Sequence, residues 1–335
     1  MHQQNQKCSI LFFIFLGSIG LIASLAGALA IEHPLTAATS PQVLTQVTTN
    51  SPIGEGISQV NWFQAIVLGF VQGMTEFIPI SSTAHLKAVP VFLGWGDPGV
   101  AFTAVIQLGS IAAVLWYFWS DLTQITKGMI TAIRTSDYTS QDFWLAVGIA
   151  VGTIPILILG LAIKLFVPDF DNSPLRSMLS IAIVSIVMAL FLALAEFLGS
   201  QKRNFKDLTA KDGILLGLAQ ALAIIPGVSR SGSTMTAGLF NNLDRATAAR
   251  FSFLLGIPAI TIAGLVELKD MLDTGVGSFG FFPLIMGLIS SALFSYLAIA
   301  WLIKFLQRRS TWVFVWYRLG FGVFILLSLG LGWIK

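Results

Sequence analysis

Long apolar blocks separated by short polar gaps dominate the chain. Uninterrupted apolar stretches lie near residues 100–119, 143–167, 177–198, 250–266, 281–303 and 312–334. A helix of about 20 apolar residues crosses a hydrocarbon core, so the pattern predicts six spanning helices. Two further apolar regions, 62–93 and 213–240, are interrupted midway by Pro, Ser, Gly and ionisable groups. A lipid-facing helix could not tolerate those groups, because broken backbone survives at membrane depth only where protein or water satisfies it. Each region is therefore expected to form a re-entrant helical hairpin, and the fold to be an all-α polytopic membrane protein.

Ahead of these elements, residues 8–30 read CSILFFIFLGSIGLIASLAGALA after Lys7, with Ala28 and Ala30 at the spacing of a secretory cleavage site. Residues 1–30 are expected to be a signal peptide or, alternatively, an extra N-terminal span. Residues 31–61, rich in Thr, Ser, Gln and Pro and without Lys or Arg, are expected to form a mobile external leader. The membrane-embedded domain is then 62–335.

The two interrupted regions resemble each other. GFVQGMTEFIPIS from Gly69 and GLAQALAIIPGVS from Gly217 share GxxQ, then Ile-Pro and a following Ser, with one residue of slippage. This is the internal symmetry of an inverted repeat whose tips meet near the midplane. Basic residues set the orientation, since cytoplasmic loops carry the excess. Loops 120–142, 199–212, 241–250 and 304–311 hold Lys127, Arg134, Lys202, Arg203, Lys206, Lys211, Arg245, Arg250, Lys304, Arg308 and Arg309, against Arg176, Lys269 and Lys335 opposite. That puts the first hairpin on the outer side and the second on the inner side. All nine tryptophans fall near expected helix ends, as an interfacial belt requires.

Composition narrows the function classes. The chain is 55% hydrophobic and 10% charged, against roughly 25% charged for a soluble domain, which excludes a soluble globule. A net charge of +3 is too small and scattered for a nucleic-acid footprint. One cysteine, Cys8, excludes an intrachain disulfide framework and a CxxC site. Three histidines, with His2 and His33 near the amino terminus, exclude a multi-His zinc centre.

The candidate chemistry lies in two clusters. VQGMTEFIPISSTAHLK, residues 71–87, concentrates Gln72, Glu76, Ser81, Ser82, Thr83, His85 and Lys87 in an apolar region, where unpartnered burial costs several kcal/mol. Pro79 breaks the first arm, and Ser81 can cap the second, whose free N–H groups then face any anion placed there. Ser82 and His85 are three apart on that arm and share a face, while Glu76 ends the first arm on the same face as Gln72. A hydroxyl, an imidazole and a carboxylate are the parts of an activated nucleophile. The bland alternative is that the hydroxyls back-bond to the helix while His85 packs between helices.

The second cluster is IPGVSRSGSTMTAG, residues 225–238, with Ser229, Arg230, Ser231, Ser233, Thr234 and Thr236 around Gly227 and Gly232. The glycines permit the close backbone approach of a phosphate-binding nest, and the Arg230 guanidinium suits phosphate bidentately. An isolated charge at that depth needs a counterion, and Glu76 is the available one; a bound anion could displace or share the pair. The glycine-serine run is neither a Walker loop nor a GxGxxG after a strand. Together the clusters suit an anionic head group on a membrane-dissolved tail.

These residues resemble the undecaprenyl-diphosphatase family, bacterial integral-membrane enzymes of the bacitracin-resistance type. One family signature is met by Gln72 and Glu76 with the downstream SSTxH, Ser81, Ser82, Thr83 and His85. The second, PGxSRSxxT, is met by Pro226, Gly227, Ser229, Arg230, Ser231 and Thr234. Flanking IQLGS (106–110) and AARFSFLLGIPAI (248–260) are also similar to family stretches. Gln72 stands where many relatives carry Glu, and the leader has no counterpart in shorter relatives. The resemblance implies hydrolysis of undecaprenyl diphosphate to undecaprenyl phosphate and inorganic phosphate, recycling the lipid carrier for peptidoglycan synthesis. It also implies a bacterial inner-membrane location with reaction at the outer face, and a divalent cation, Mg2+ or Ca2+.

On this reading Ser82 attacks the terminal phosphorus and His85 accepts its proton, while Glu76 orients His85 or helps hold the cation. Arg230 and the surrounding hydroxyls, with Gln72, Ser81, Thr83, Gly227, Ser229, Ser231, Ser233 and Thr234 as substrate-binding candidates, stabilise the phosphoryl oxygens. A variant makes His85 the attacking group and Ser82 a phosphate ligand. From a different class, inverted repeats with a midplane site equally suit a transporter or flippase of polyprenyl phosphates. The phosphatidic-acid phosphatase pattern is absent, since neither KxxxxxxRP nor PSGH occurs.

Overall fold

The computed structural model describes residues 60–167, 170, 173–274 and 280–334. The expected signal peptide or extra span, and nearly all of the expected leader, lie outside the described residues. Among the described residues there are eleven α-helices and no strand: α1 (Trp62–Glu76), α2 (Ser82–Phe92), α3 (Gly99–Tyr117), α4 (Trp119–Thr135), α5 (Gln141–Phe166), α6 (Met178–Leu198), α7 (Ala210–Ala221), α8 (Arg230–Phe240), α9 (Arg245–Thr274), α10 (Phe281–Leu306) and α11 (Trp312–Gly330). Five of them, α5, α6, α9, α10 and α11, are long and apolar enough to cross a bilayer, and α3 with α4 makes a sixth if that bent pair counts as one span.

The α3–α4 boundary corrects the sequence reading. The chain bends by 68° between these helices, and most of what reads as the polar loop 120–142 is helix. The reason is visible in hindsight: Leu122, Ile125, Met129, Ala132 and Ile133 recur at helical spacing, with Asp121 in the first turn and Arg134 in the last to complement the helix dipole.

Both interrupted regions break where expected. Proline lacks an N–H and clashes with the preceding turn, so α1 stops at Glu76 before Pro79, and α2 begins after Ser81. In the second region α7 runs into a 3-10 turn at Leu222–Ile224, and α8 begins after Ser229. The extra residue of this turn is Gly227, whose φ of +93° suits glycine, and whose missing side chain admits the Ile181 carbonyl at 3.1 Å from where a Cβ would lie. Short residues also let helices pack tightly without a hydrophobic driving force in lipid. α1 packs chiefly on α10, with Gly69 against the Gly287 carbonyl, and α7 packs on α5, with Gly213 and Gly217 against Gly148 and Gly152.

Contacts gather the loops at two ends of the bundle. At one end Arg203 forms a forked pair with Asp212 at 2.8 and 2.7 Å, which raises the Arg203 pKa, and it also donates to the Asn241 carbonyl. Arg245 pairs with Glu196, Arg250 with Asp121, and Gln141 reaches the Phe205 carbonyl at 2.7 Å. The basic-rich loops thus share one end. At the other, Lys87 donates to the Arg176 carbonyl at 2.5 Å, and Lys164 pairs with Asp270 at 2.7 Å. The start of α1 and the stretch after α2 also meet there, through the Phe63 and Trp95 rings, 6.4 Å apart. Eight of the nine tryptophans, all but Trp95, are exposed.

Candidate active site

Where the two breaks meet, the backbone itself is unusual. Ser81 and Ser229 have φ of +78° and +71°, a region L-residues seldom occupy. Each compensates by capping the helix that follows: Ser81 Oγ accepts from the Ala84 N–H at 3.4 Å, and Ser229 Oγ from the Gly232 N–H at 3.1 Å. The tips touch directly, since Ser231 Oγ donates to the Ile78 carbonyl at 3.2 Å.

Arg318, on α11, fastens them together. Its Nη1 donates to the Pro79 and Val228 carbonyls at 3.1 and 3.2 Å, its Nη2 to the Gly227 carbonyl at 2.7 Å, and its Nε to the Ser185 carbonyl at 3.3 Å. The sequence reading missed this residue because it sits within an apolar span. Its cost of burial was the available signal: a guanidinium 1% exposed within such a span must serve buried acceptors.

Glu76 is the centre of the site. Its Oε2 accepts from Ser82 Oγ at 2.7 Å and from Gln72 Nε2 at 3.1 Å, and its Oε1 faces Arg230 Nη2 at 3.3 Å. Gln72 is tied in turn to Ser110 at 3.4 Å, within a chain of hydroxyls that includes Ser291 and Ser295 on α10. Arg230 also donates to the Ser252 carbonyl at 3.3 Å and lies 5.9 Å from the Phe77 ring centroid. Its Nε is buried with no partner among the described residues, a free donor of the kind an anion would satisfy. The space for this guanidinium exists because residue 256 is glycine: a Cβ there would lie 1.7 Å from Arg230 Nη1.

A cavity of about 200 Å³ opens on this constellation. Glu76, Ser81, Ser82, Thr83, Gly227, Ser229 and Arg230 line it, and the remaining wall is largely apolar, with Ile156, Ile224, Ile225 and Ile260. Gln72 lines an adjoining chamber of about 350 Å³ that shares Ser82, Thr83 and Gln107 with the first. Four sequence candidates lie in neither. Ser233 and Thr234 hydroxyls return to the Arg230 carbonyl at 3.1 and 2.7 Å, and Ser231 is spent on the seam between tips. The fourth is His85. Its Nδ1 is 2.7 Å from the Ser81 carbonyl and its Nε2 is 2.7 Å from Tyr317 Oη, with the ring stacked 4.3 Å from Phe321. The expected Ser82–His85 pairing is therefore corrected: Ser82 pairs with Glu76. Helical side chains lean toward the N-terminus, so His85 reaches back one turn to the Ser81 carbonyl, and three-residue spacing on α2 was insufficient to join it to Ser82.

Gln107, Ser110, Ser252 and Gly256, which complete the walls and the guanidinium's surroundings, fall in the two flanking stretches IQLGS and AARFSFLLGIPAI. Their types gave no chemical reason to select them individually.

Comparison with known proteins places the chain in a family. A family profile described as "Bacitracin resistance protein BacA" matches residues 65–324. A protein of Synechocystis sp. named "Undecaprenyl-diphosphatase" is 67% identical over 296 residues, covering 88% of this chain and 90% of the relative. Proteins of the same name from Nostoc sp. and Trichormus variabilis are 63% and 62% identical over 303 residues, each covering 90% of this chain and 94% of the relative. With the profile spanning most of its length, this chain belongs to the bacitracin resistance protein BacA family.

Proposed function

We propose that this multi-pass membrane protein hydrolyses undecaprenyl diphosphate to undecaprenyl phosphate and inorganic phosphate, recycling the lipid carrier for peptidoglycan synthesis. The observation that carries the reading is one carboxylate, Glu76, shared between a hydroxyl at 2.7 Å and a guanidinium at 3.3 Å in a cavity whose remaining wall is largely apolar. The curated relatives' name supports the same substrate.

Those contacts support the following mechanism. Ser82 Oγ attacks the terminal phosphorus in line with the bridging oxygen, and its proton passes to Glu76 Oε2. The bond from phosphorus to the bridging oxygen breaks, and undecaprenyl phosphate leaves with that electron pair. Water then attacks the phosphoserine, the Ser82 oxygen leaves and takes the proton back from Glu76, and inorganic phosphate is freed. Arg230 holds the phosphoryl oxygens through both steps, sharing its charge between Glu76 and the substrate, which is positional and electrostatic catalysis of the usual phosphoryl-transfer kind. His85, fixed by Ser81 and Tyr317, holds the first turn of α2 and with it Ser82.

A divalent cation, Mg2+ or Ca2+, belongs to this proposal. Among the described residues no cluster of three or more His, Cys, Asp or Glu is present. Glu76 is the single carboxylate lining the cavity, beside the Ser82 and Thr83 hydroxyls. This donor set fits a hard cation that takes its other ligands from the substrate's phosphates. When bound, the ion would neutralise charge on the phosphoryl oxygens.

Placement in the membrane completes the reading. The basic-rich loops share one end, which the positive-inside rule makes cytoplasmic. α1–α2 and α7–α8 then enter from opposite faces as re-entrant hairpins of an inverted repeat, flanked by six spans, with 62–335 as the catalytic domain. The larger chamber opens at the opposite, outer end of a bacterial inner-membrane protein.

The test is phosphate release from C55 diphosphate by the purified full chain, with and without chelator. Glu76→Gln and Arg230→Ala are expected to lower release by about 10³-fold or more while the protein stays folded. Unchanged release in both variants would overturn the assignment, as would transbilayer movement of polyprenyl phosphate by a wild-type protein that releases none.

A further inference from the structure

We propose that Lys87 forms a cationic station for inorganic phosphate on the outward route from the active site. The inference rests on the hydrolytic reading above and concerns where the released product goes.

Three helices build the route in the same way. Residues four apart share a helix face, and each helix contributes such a series to the larger chamber. On α2, Thr83 lines both cavities and Lys87 lines only the chamber; on α9, Ala263 lines both and Glu267 only the chamber. On α3, Gln107 lines both, followed toward the helix start by Thr103 and Gly99. Every series therefore begins at the reaction cavity and runs toward the end of the bundle where α3 starts. The chamber is a corridor away from Ser82.

Lys87 stands one turn beyond Thr83, in the path of anything leaving Ser82 by this route. Its ammonium donates to the Arg176 carbonyl at 2.5 Å, a contact that fixes the side chain and spends one of three donors. Arg176, Asp97 and Glu267 also line the chamber. A phosphate leaving Arg230 thus meets the compact Lys87 ammonium with donors to spare, beside the Arg176 guanidinium and two carboxylates that oppose a long stay. That combination suits a transient stop for a dianion, drawing it off Arg230 without trapping it. The lipid product has no use for the route, since its tail belongs with the isoleucine wall of the other cavity.

The same cation could instead grip the terminal phosphate of bound substrate, and kinetics separate the two. The purified full chain is assayed with C55 diphosphate at increasing inorganic phosphate, as wild type, Lys87→Met, Lys87→Gln and Lys87→Arg. The expected result is a roughly tenfold weaker inhibition constant for inorganic phosphate in Lys87→Met, with KM for the lipid within about twofold and recovery in Lys87→Arg. Lys87→Gln retains a donor for the Arg176 carbonyl and gives the same reading if the methionine variant does not fold. An unchanged inhibition constant overturns the proposal, and so does an inhibition constant that rises in step with KM, which would assign Lys87 to substrate binding. Phosphate binding measured without turnover, by 31P NMR, keeps the two ideas apart. A wild type that hydrolyses the lipid but whose phosphate binding is indifferent to Lys87 sinks the station alone, whereas absence of hydrolysis sinks the reading beneath it.

Discussion

Ser81 and Ser229 hold the same place in the two broken helix pairs: each follows an Ile-Pro turn, carries a positive φ and caps the helix after it. Beyond that shared backbone the pairs diverge. In α1–α2 Glu76, Ser82 and Thr83 turn toward the cavity, where Glu76 and Ser82 meet at 2.7 Å. In α8 the hydroxyls of Ser233, Thr234 and Thr236 turn back onto their own helix, and only Arg230 faces the cavity. On the proposed mechanism, one half supplies the nucleophile and its carboxylate, and the other supplies a grip and a rigid seat for it. A shared backbone form fixes where two tips meet, and single side chains then decide what each tip contributes.

The sharpest way to break this comparison is to unfasten the tips. Arg318 Nη1 donates to a carbonyl from each, Pro79 and Val228. Arg318→Met would leave buried carbonyls without donors, each costing about 1–3 kcal/mol. A loss of at least about 3 kcal/mol in stability is expected, with hydrolysis abolished, measured by thermal unfolding in detergent and by phosphate release. Stability unchanged from wild type would mean that the two tips hold together without α11.

A smaller perturbation leaves the backbone and moves only the grip. Gly256→Ala puts a methyl group 1.7 Å from the present position of Arg230 Nη1, so the guanidinium must shift by about an ångström. Misplacement on that scale costs about 10²-fold in rate. The expected signature is a fall in kcat with a smaller change in melting temperature. Equal activity would show that Arg230 reaches the substrate from more than one position.

These two residues also mark how far the sequence could be read. The breaks at Pro79 and Pro226 and the Glu76–Arg230 pairing follow from the cost of placing such groups in an apolar stretch, and that cost is visible in a single chain. Over 120–135 polar composition reads as a loop, while the helical spacing of Leu122, Ile125, Met129 and Ala132 is what decides the structure. Arg318 was hidden in an otherwise apolar run, and Gly256 has no chemistry of its own. Its role appears only once Arg230 is seen beside it. The direction of His85 was equally hidden, since a three-residue spacing does not say whether the ring turns to Ser82 or to Tyr317.

The mildest test concerns Gln72 and Gln220, each the last residue of a GxxQ segment ahead of an Ile-Pro break. Gln72 donates to Glu76 one turn later, at 3.1 Å. Gln220, its counterpart, has Ile224 one turn later, and both its amide atoms are buried with no partner among the described residues. Satisfying an amide is what makes its burial tolerable, and an apolar replacement of similar shape removes the penalty along with the group. Gln220→Leu is therefore expected to leave kcat unchanged and to raise stability by about 1 kcal/mol, whereas Gln72→Leu, which strips a donor from Glu76, lowers activity. A destabilised Gln220→Leu would show instead that buried water serves the amide, and that the second pair keeps a polar network of its own.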